Sequence, residues 1–361
     1  MKRIAIELFA GCGGLSTGLE KAGFKMISAV EINPVAAKSY VLNHPDVKLH
    51  ISDVSSIHAK DFQEDIGGDI EIDLLAGCSP CQGFSRLRKG EDALKDPRNQ
   101  LVLQYLRLVK ELKPKTILME NVPGLIKSEQ GKEIFQKVQR RLKRLGYTVS
   151  FRIVDAADYG VPQFRKRFVL LGTRLGKNEI GIPDPVYGDP EKYVDKEEKL
   201  QPWKTVRETI GSLPALDNGE KSEEYPLHRC SRNGEKNLRR IKAIPHDGGS
   251  RTKLPPELVL ECHKRYPNGY RDVYGRMSWD KPSPTITSGC ANITRGRFIH
   301  PEQDRGISLL EAAMLQTFDP DYKFFGNSEQ IALQIGNAVP VKLGETMGKR
   351  LIEYLEQKDP L

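Results

Sequence analysis

Arg3-Ile4-Ala5-Ile6-Glu7-Leu8-Phe9-Ala10-Gly11-Cys12-Gly13-Gly14-Leu15-Ser16-Thr17-Gly18 opens the chain and decides its fold class. Arg3 to Phe9 is a mostly apolar run of strand length, and Leu15 to Ala22 reads as a helix closed by Gly23. Between them lies a glycine cluster. Strand, glycine loop and helix in that order make a nucleotide-type binding turn, because glycine lets a ligand approach the backbone and the helix offers free N–H groups. The turn suits NAD, FAD or S-adenosylmethionine. Its spacing is G-x-G-G, not the G-x-G-x-x-G of dinucleotide sites, which argues against a pyrophosphate ligand.

Working outward, Lys25 to Val30 is a second strand with Glu31 at its carboxyl end. An acid about 20 residues beyond the glycine loop suits a grip on ribose hydroxyls. Pro34 to Asn43 is a helix, and Val47 to Ser52 a third strand ending at Asp53, placed to accept from an adenine amine. Either acid also serves as an ordinary helix N-cap, and for Asp53 alone the two readings balance. Ile72 to Ala76 is a further buried strand. It runs into Gly77-Cys78-Ser79-Pro80-Cys81-Gln82-Gly83-Phe84-Ser85, where Cys81, held by Pro80, is a candidate nucleophile and Cys78 a buried structural thiol. A zinc or redox reading of Cys78-x-x-Cys81 lacks a second pair, since Cys12, Cys230, Cys262 and Cys290 stand apart. No metal site is expected.

Arg86 to Arg98 is polar and basic, with the character of a lid that meets phosphates. Asn99 to Leu112 is helical, and Lys115 to Met119 a strand followed by Glu120-Asn121-Val122-Pro123-Gly124. Glu120 at an apolar strand end suits an acid or hydrogen-bond donor; capping of the next turn is the plain alternative. Glu129 to Leu145 is a basic amphipathic helix whose charges read as a solvated face. Tyr147 to Val154 and Phe168 to Gly172 form an antiparallel hairpin around Asp158 to Arg167, in which Arg165 and Arg167 share one side if the segment is extended.

The chain has 361 residues, a net charge of +8 and 29% charged residues, an ordinary soluble composition with a mild preference for polyanions. Its six unevenly spaced cysteines suit a reducing cytosol, and no apolar run approaches the ~20 residues of a membrane span. The amino terminus enters a strand directly, so no signal peptide is expected. From Gly176 the composition shifts towards Pro, Gly and charge, which marks a domain boundary. His246-Asp247-Gly248-Gly249-Ser250-Arg251 reads as a polar loop that touches a ligand or DNA, and Cys262-His263 has the wrong spacing for a metal clip. Ser308 to Thr317, Ser328 to Ile335 and Val341 to Glu356 are helices, the last preceded by Gly336-Asn337-Ala338-Val339-Pro340.

Together these motifs resemble the C5-cytosine DNA methyltransferase family, from Ile6 to about Leu351 apart from a variable region before Arg276. Phe9 to Gly14 resembles its cofactor motif, Pro80-Cys81-Gln82 its nucleophile motif, Glu120-Asn121-Val122 its glutamate motif and Gln163-Phe164-Arg165-Lys166-Arg167 its Q-x-R-x-R. Arg276 to Thr285 and Gly336 to Val339 are similar to its last two motifs. The resemblance implies an α/β fold of the class I S-adenosylmethionine-dependent type, a Rossmann-like seven-stranded sheet with one antiparallel strand. A catalytic domain of 1–174 plus 328–361 would carry a small target-recognition domain of 175–327. It implies S-adenosylmethionine as cofactor, held by Phe9, Gly11, Gly13, Gly14, Leu15, Glu31, Ile32, Asp53, Val54, Pro80, Asn337 and Ala338.

The same likeness implies the chemistry. Cys81 adds to C6 of a flipped-out cytosine, Glu120 relieves charge at N3, Arg165 holds the O2 edge and Arg167 braces Glu120. Gln82, Ser85, Arg86, Arg88, Arg251 and Arg276 would meet duplex DNA. The expected context is a cytoplasmic, nucleoid-associated monomer that modifies DNA beside a cognate restriction endonuclease. A transfer RNA methyltransferase of the same family is the first rival. The region 176–275 is longer and more basic than such an enzyme needs, and no Cys-Phe-Thr lies near it. A non-catalytic DNA-binding protein on the same fold is the second, weakened by Cys81, Glu120 and Arg165. The glycine spacing disfavours a nicotinamide oxidoreductase.

Overall fold

The computed structural model describes residues 2–68, 71–79, 97–192, 200–266, 269 and 271–360, with backbone alone at 97–100 and 190. A seven-stranded sheet has the order β3-β2-β1-β4-β5-β7-β6. Its strands are β1 Ile4–Leu8, β2 Lys25–Val30, β3 Lys48–His50, β4 Leu74–Gly77, β5 Thr116–Asn121, β6 Thr148–Asp155 and β7 Lys166–Thr173. All neighbours pair in parallel except β7, which is antiparallel to both β5 and β6. The order reverses between β1 and β4, and in such sheets ligands collect outside the carboxyl ends at that reversal.

Helices α1 Gly14–Ala22, α2 Pro34–Asn43, α3 Ala59–Ile66, α4 Pro97–Leu112, α5 Gly124–Lys127 and α6 Glu129–Arg144 follow the strands in alternation. Side-chain caps fix the starts of α2 and α6. Asn33 caps α2 by accepting from the N–H groups of Val35 and Ala36, and Ser128 caps α6 by accepting from Gly131. Tyr105 of α4 donates into the sheet, its hydroxyl 3.1 Å from both Leu75 O and Leu118 O. Gly77 leaves room for that ring: a Cβ there would lie 2.9 Å from it.

The described residues fall into two compact units. One comprises Met1–Asp155, Lys166–Pro185 and Val339–Leu361. The other comprises Ala156–Arg165 and Val186–Ala338. These bounds differ from the expected 1–174 plus 328–361 in where short segments fall. Residues 175–185 stay with the sheet because Arg350 donates to Ile180 O and Tyr354 to Asn178 O. The hairpin loop 156–165 joins the second unit, where Phe164 N–H donates to Ser283 O.

In the first unit the terminal helix α12 (Val341–Lys358) packs on α1 so closely that a Cβ on Gly18 would sit 2.5 Å from Val341 O. Asp359 beyond it joins Arg3, Asp73 and Lys115 in an ion cluster at the amino ends of the strands. The second unit holds a two-stranded pair, β8 (Tyr187–Gly188) and β9 (Gln201–Pro202), with α7 Val206–Ile210, α8 Glu235–Ala243, α9 Glu261–Arg265, α10 Leu309–Leu315 and α11 Ser328–Asn337. A core of Ile241, Ile244, Leu254, Tyr274, Ile293 and Ile299 supports it. No described helix is long and apolar enough to cross a membrane.

Candidate active site

At the carboxyl end of β1 the backbone turns through left-handed conformations, with φ of 60° at Phe9, 57° at Gly11 and 97° at Gly13. A non-glycine residue at positive φ is uncommon and marks a constrained turn. Glu31 closes it from β2: Oε2 accepts from Gly11 N–H at 2.7 Å and Oε1 from Asn33 N–H at 2.6 Å. Each carboxylate oxygen keeps a second lone pair. Burial raises the pKa of Glu31, against the opposing backbone hydrogen bonds. Ile32 is 63% exposed beside it, and a Cβ on Gly11 would meet nothing within 4 Å.

Asp53 follows β3 and does serve as a cap, accepting from Ser55 N–H at 2.7 Å, and it stays exposed with a lowered pKa. The expected cofactor residues are therefore drawn together on one rim: Phe9, Gly11, Gly13, Glu31, Ile32 and Asp53. Leu15 and Val54 differ. Their side chains are buried, Leu15 against Gly344 and Val54 in the main core, so only their backbone is left to face a ligand. Asn337 and Ala338 lie in the second unit.

The rim suits an adenosine-bearing cofactor. Glu31 has lone pairs for a diol, Ile32 offers an apolar face, and the loop has space for a ligand against its backbone. S-adenosylmethionine would be held there, and it supplies an electrophilic methyl group.

On the other side of the order reversal, β4 and β5 continue in register. Gly77 pairs with Met119, and the Asn121 amide donates to Ser79 O at 3.2 Å. Cys78 thus stands level with Glu120, on the same face of neighbouring strands. Burial first, then the Glu120 charge, pushes the Cys78 thiol well up, which keeps it protonated and unreactive. The raised thiol suits the expected structural role, although Cys78 is half-buried rather than fully buried. Glu120 is 8% exposed and forms an ion pair with Arg167 of β7, Oε1 to Nε 2.8 Å. The pairing Glu120 with Val169 across the antiparallel ladder brings that arginine within reach. Pro80, Cys81, Gln82, Ser85, Arg86 and Arg88 lie outside the described residues.

Three arginines depart from expectation. Arg165 does not share its surroundings with Arg167, because β7 begins at Lys166 and Arg165 belongs to the second unit. It is 2% exposed, and its terminal nitrogens donate to Ile286 O, Gly336 O and Ala338 O at 2.7, 2.8 and 3.1 Å. It pins the end of α11 to the 286 segment, a framework role in place of the expected contact with a pyrimidine edge. Gly336 permits this approach: a Cβ would lie 2.1 Å from Ser288 N.

Arg276 is fully buried and donates to Ile244 O, His300 O, Ile241 O and Gln303 O, with Asp304 as counter-ion. It stitches the second unit together and has no exposed face for DNA. Arg251, 5% exposed, donates to Gly269 O and is likewise structural. In each case the guanidinium donates to carbonyls of irregular backbone, which suits its several donors.

One buried group escaped notice in the sequence. Glu7 of β1 lies beneath the glycine loop, 1% exposed, hydrogen-bonded to Ser16 Oγ, which is 2.8 Å from Tyr40 OH. Burial raises its pKa to about 8, outweighing the Ser16 bond. Only its interruption of an apolar strand signalled it.

A family model for C-5 cytosine-specific DNA methylases matches residues 4–353. The chain belongs to that family. It is 38% identical over 357 residues to Type II methylase M.HgiDII of Herpetosiphon aurantiacus, covering 97% of this chain and 95% of the relative. Identity to Type II methyltransferase M1.HphI of Haemophilus parahaemolyticus is 32%, covering 96% and 86%. Among solved structures, a DNA modification methyltransferase encoded within an E. coli prophage superposes with a TM-score of 0.70 at 28% identity, covering 98% and 99%. The fold is thus the class I α/β fold of S-adenosylmethionine-dependent methyltransferases, and the chain is a C5-cytosine DNA methyltransferase.

Proposed function

We propose that the protein methylates C5 of a flipped-out cytosine in duplex DNA through a covalent bond between Cys81 Sγ and C6, using S-adenosylmethionine. The observation that carries this reading is the Glu120–Arg167 pair at the carboxyl end of β5, with the Asn121–Ser79 bond leading β4 directly into Pro80-Cys81. C5 of cytosine is a poor nucleophile until a thiolate adds at C6. That addition puts negative charge on N3, which Glu120 would relieve by donating a proton there, with Arg167 steadying the carboxyl and the carboxylate it leaves. C5 would then take the methyl group, leaving S-adenosylhomocysteine, after which a base removes the C5 proton and Cys81 departs as a thiolate. Relatives at 30% identity or more that bear Type II methylase names support DNA over transfer RNA as substrate, and support a modification role alongside a restriction endonuclease. Much of the second unit, with its basic loops, would read the target sequence, and the enzyme would act as a cytoplasmic monomer.

A duplex carrying 5-fluorocytosine at the target tests the covalent step, because fluorine cannot leave as a cation. Wild type and Cys78→Ser should form a stable protein–DNA adduct when S-adenosylmethionine is present; Cys81→Ser should bind DNA without forming one. An adduct in Cys81→Ser that is absent in Cys78→Ser would overturn the assignment. Bisulfite sequencing of DNA from expressing cells gives the target sequence.

A further inference from the structure

The helix α6 divides sharply by charge. Its first turns carry Glu129 and Glu133 with Lys132 between them, while 137–144 holds Lys137, Arg140, Arg141, Lys143 and Arg144 and no acid. Lys137, Arg140, Arg141 and Arg144 line a concavity of about 250 Å³ together with Leu103 of α4. All four are exposed, and among the described residues no ion pair engages any of them. Arg140 Nε donates only to its own helix, to Gln136 O at 3.2 Å.

For the arginines, that isolation is unlike the rest of the unit. Arg3 pairs with Asp73, Arg107 with Glu111, Arg152 with Asp184, Arg167 with Glu120, Arg174 with Glu71 and Arg350 with Glu353. Like charges three and four residues apart on a helix repel one another. The helix C-terminus favours cations, but this does not require them to surround one hollow.

The position separates the hollow from the chemistry. Glu129 starts α6 just past the carboxyl end of β5, and Arg144 ends it next to β6, whose first residue Thr148 aligns through Thr173 with Thr116, the first of β5. A helix of 16 residues spans ~24 Å, so the basic half lies towards the end of the sheet opposite Glu120. The lining has no aromatic ring to stack a base and no amide or carboxylate to read one. Three guanidiniums and an ammonium match phosphate oxygens, independent of sequence.

We propose that this half of α6 is a second DNA-backbone contact, a sequence-independent site for duplex phosphates apart from the methyl-transfer centre. It does not rest on the catalytic reading, because it can be tested on a duplex that contains no cytosine. Binding of the full chain to poly(dA)·poly(dT) would be measured between 50 and 200 mM salt, for wild type and for a variant carrying Lys137→Gln, Arg140→Gln, Arg141→Gln and Arg144→Gln.

Each lost phosphate contact flattens the slope of log Kd against log salt by about 0.9, so three to four contacts make the wild type roughly 40–150-fold more salt-sensitive over that range. Arg141→Gln and Arg144→Gln singly, each flattening the slope by about 0.9, keep the test open if the fourfold variant does not fold. An unchanged slope in folded variants overturns the proposal. So does a wild type that binds pyrophosphate or polyglutamate through these residues while its DNA slope is indifferent to them.

Discussion

Replacing Glu7 with glutamine separates charge from shape at the base of the cofactor loop. The carboxyl is fully buried in β1, and burial lifts its pKa from 4.5 to about 8. Between those values the folded protein holds a proton that the unfolded chain has released. Stability from this group is therefore complete below pH 4.5, falls as pH rises, and stops falling once the native carboxyl ionises above about pH 8. At 1.36 kcal/mol per pH unit, the full loss is roughly 4–5 kcal/mol. Glutamine keeps a polar partner for Ser16 but cannot ionise, so its variant escapes the loss. Thermal unfolding of the full chain at pH 5 and pH 9 reads the effect. Glu7→Gln should match or fall slightly below wild type at pH 5 and exceed it at pH 9 by several degrees, since 1 kcal/mol moves Tm by about 2–4 °C in chains of 150–250 residues. The same difference in Tm at both pH values would show that Glu7 does not change protonation on folding, and would refute the argument. Amide exchange in β1 localises the change to the first unit.

Arg167→Leu should destabilise the protein by about 3–5 kcal/mol in denaturant unfolding, because it strands the Glu120 carboxylate in a nearly closed site. Adding Glu120→Gln should recover part of that cost, whereas additive losses would mean the pair is uncoupled. Gly18→Ala should cost about 1–3 kcal/mol through collision with α12. Gly23→Ala, at φ 112° with nothing within 4 Å of a Cβ, should cost only about 1 kcal/mol of backbone strain. Calorimetry on both variants separates crowding from strain. In the second unit, burial would raise the pKa of Glu311, but Arg305 overrides it and holds it at about 2. The stability this supplies is present above pH 4.5 and drains away as pH falls towards 2. Arg305→Met should lose about 3–5 kcal/mol at neutral pH and show a weaker dependence on acid, measured by unfolding at pH 7 and pH 3.

Most of the sheet was legible in order. β2 and α2 lie at the expected Lys25 to Val30 and Pro34 to Asn43, and the boundaries of β1, β4 and β5 shift by a few residues at most. Strand ends are visible because period, glycine and proline are local signals. Glu31 and Glu120 were found for the same reason: an acid directly after an apolar run lies at a strand end wherever the rest of the chain goes. Arg165, Arg251 and Arg276 were misread because an arginine looks the same in sequence whether it faces phosphate or buried carbonyl groups. Only tertiary packing shows that Arg276 has Ile241, Ile244, His300 and Gln303 carbonyl groups around it.

The sequence by itself determined the alternation of strand and helix, the left-handed glycine turn and the family, because each rests on neighbours along the chain. The tertiary structure decided which charges are spent internally and which remain available. It buried Glu7 as an acid with a raised pKa, paired Glu120 with Arg167 across an antiparallel ladder, and left the end of α6 without counter-ions among the described residues. Those outcomes depend on desolvation and on partners tens to hundreds of residues away, and neither is encoded in any local window.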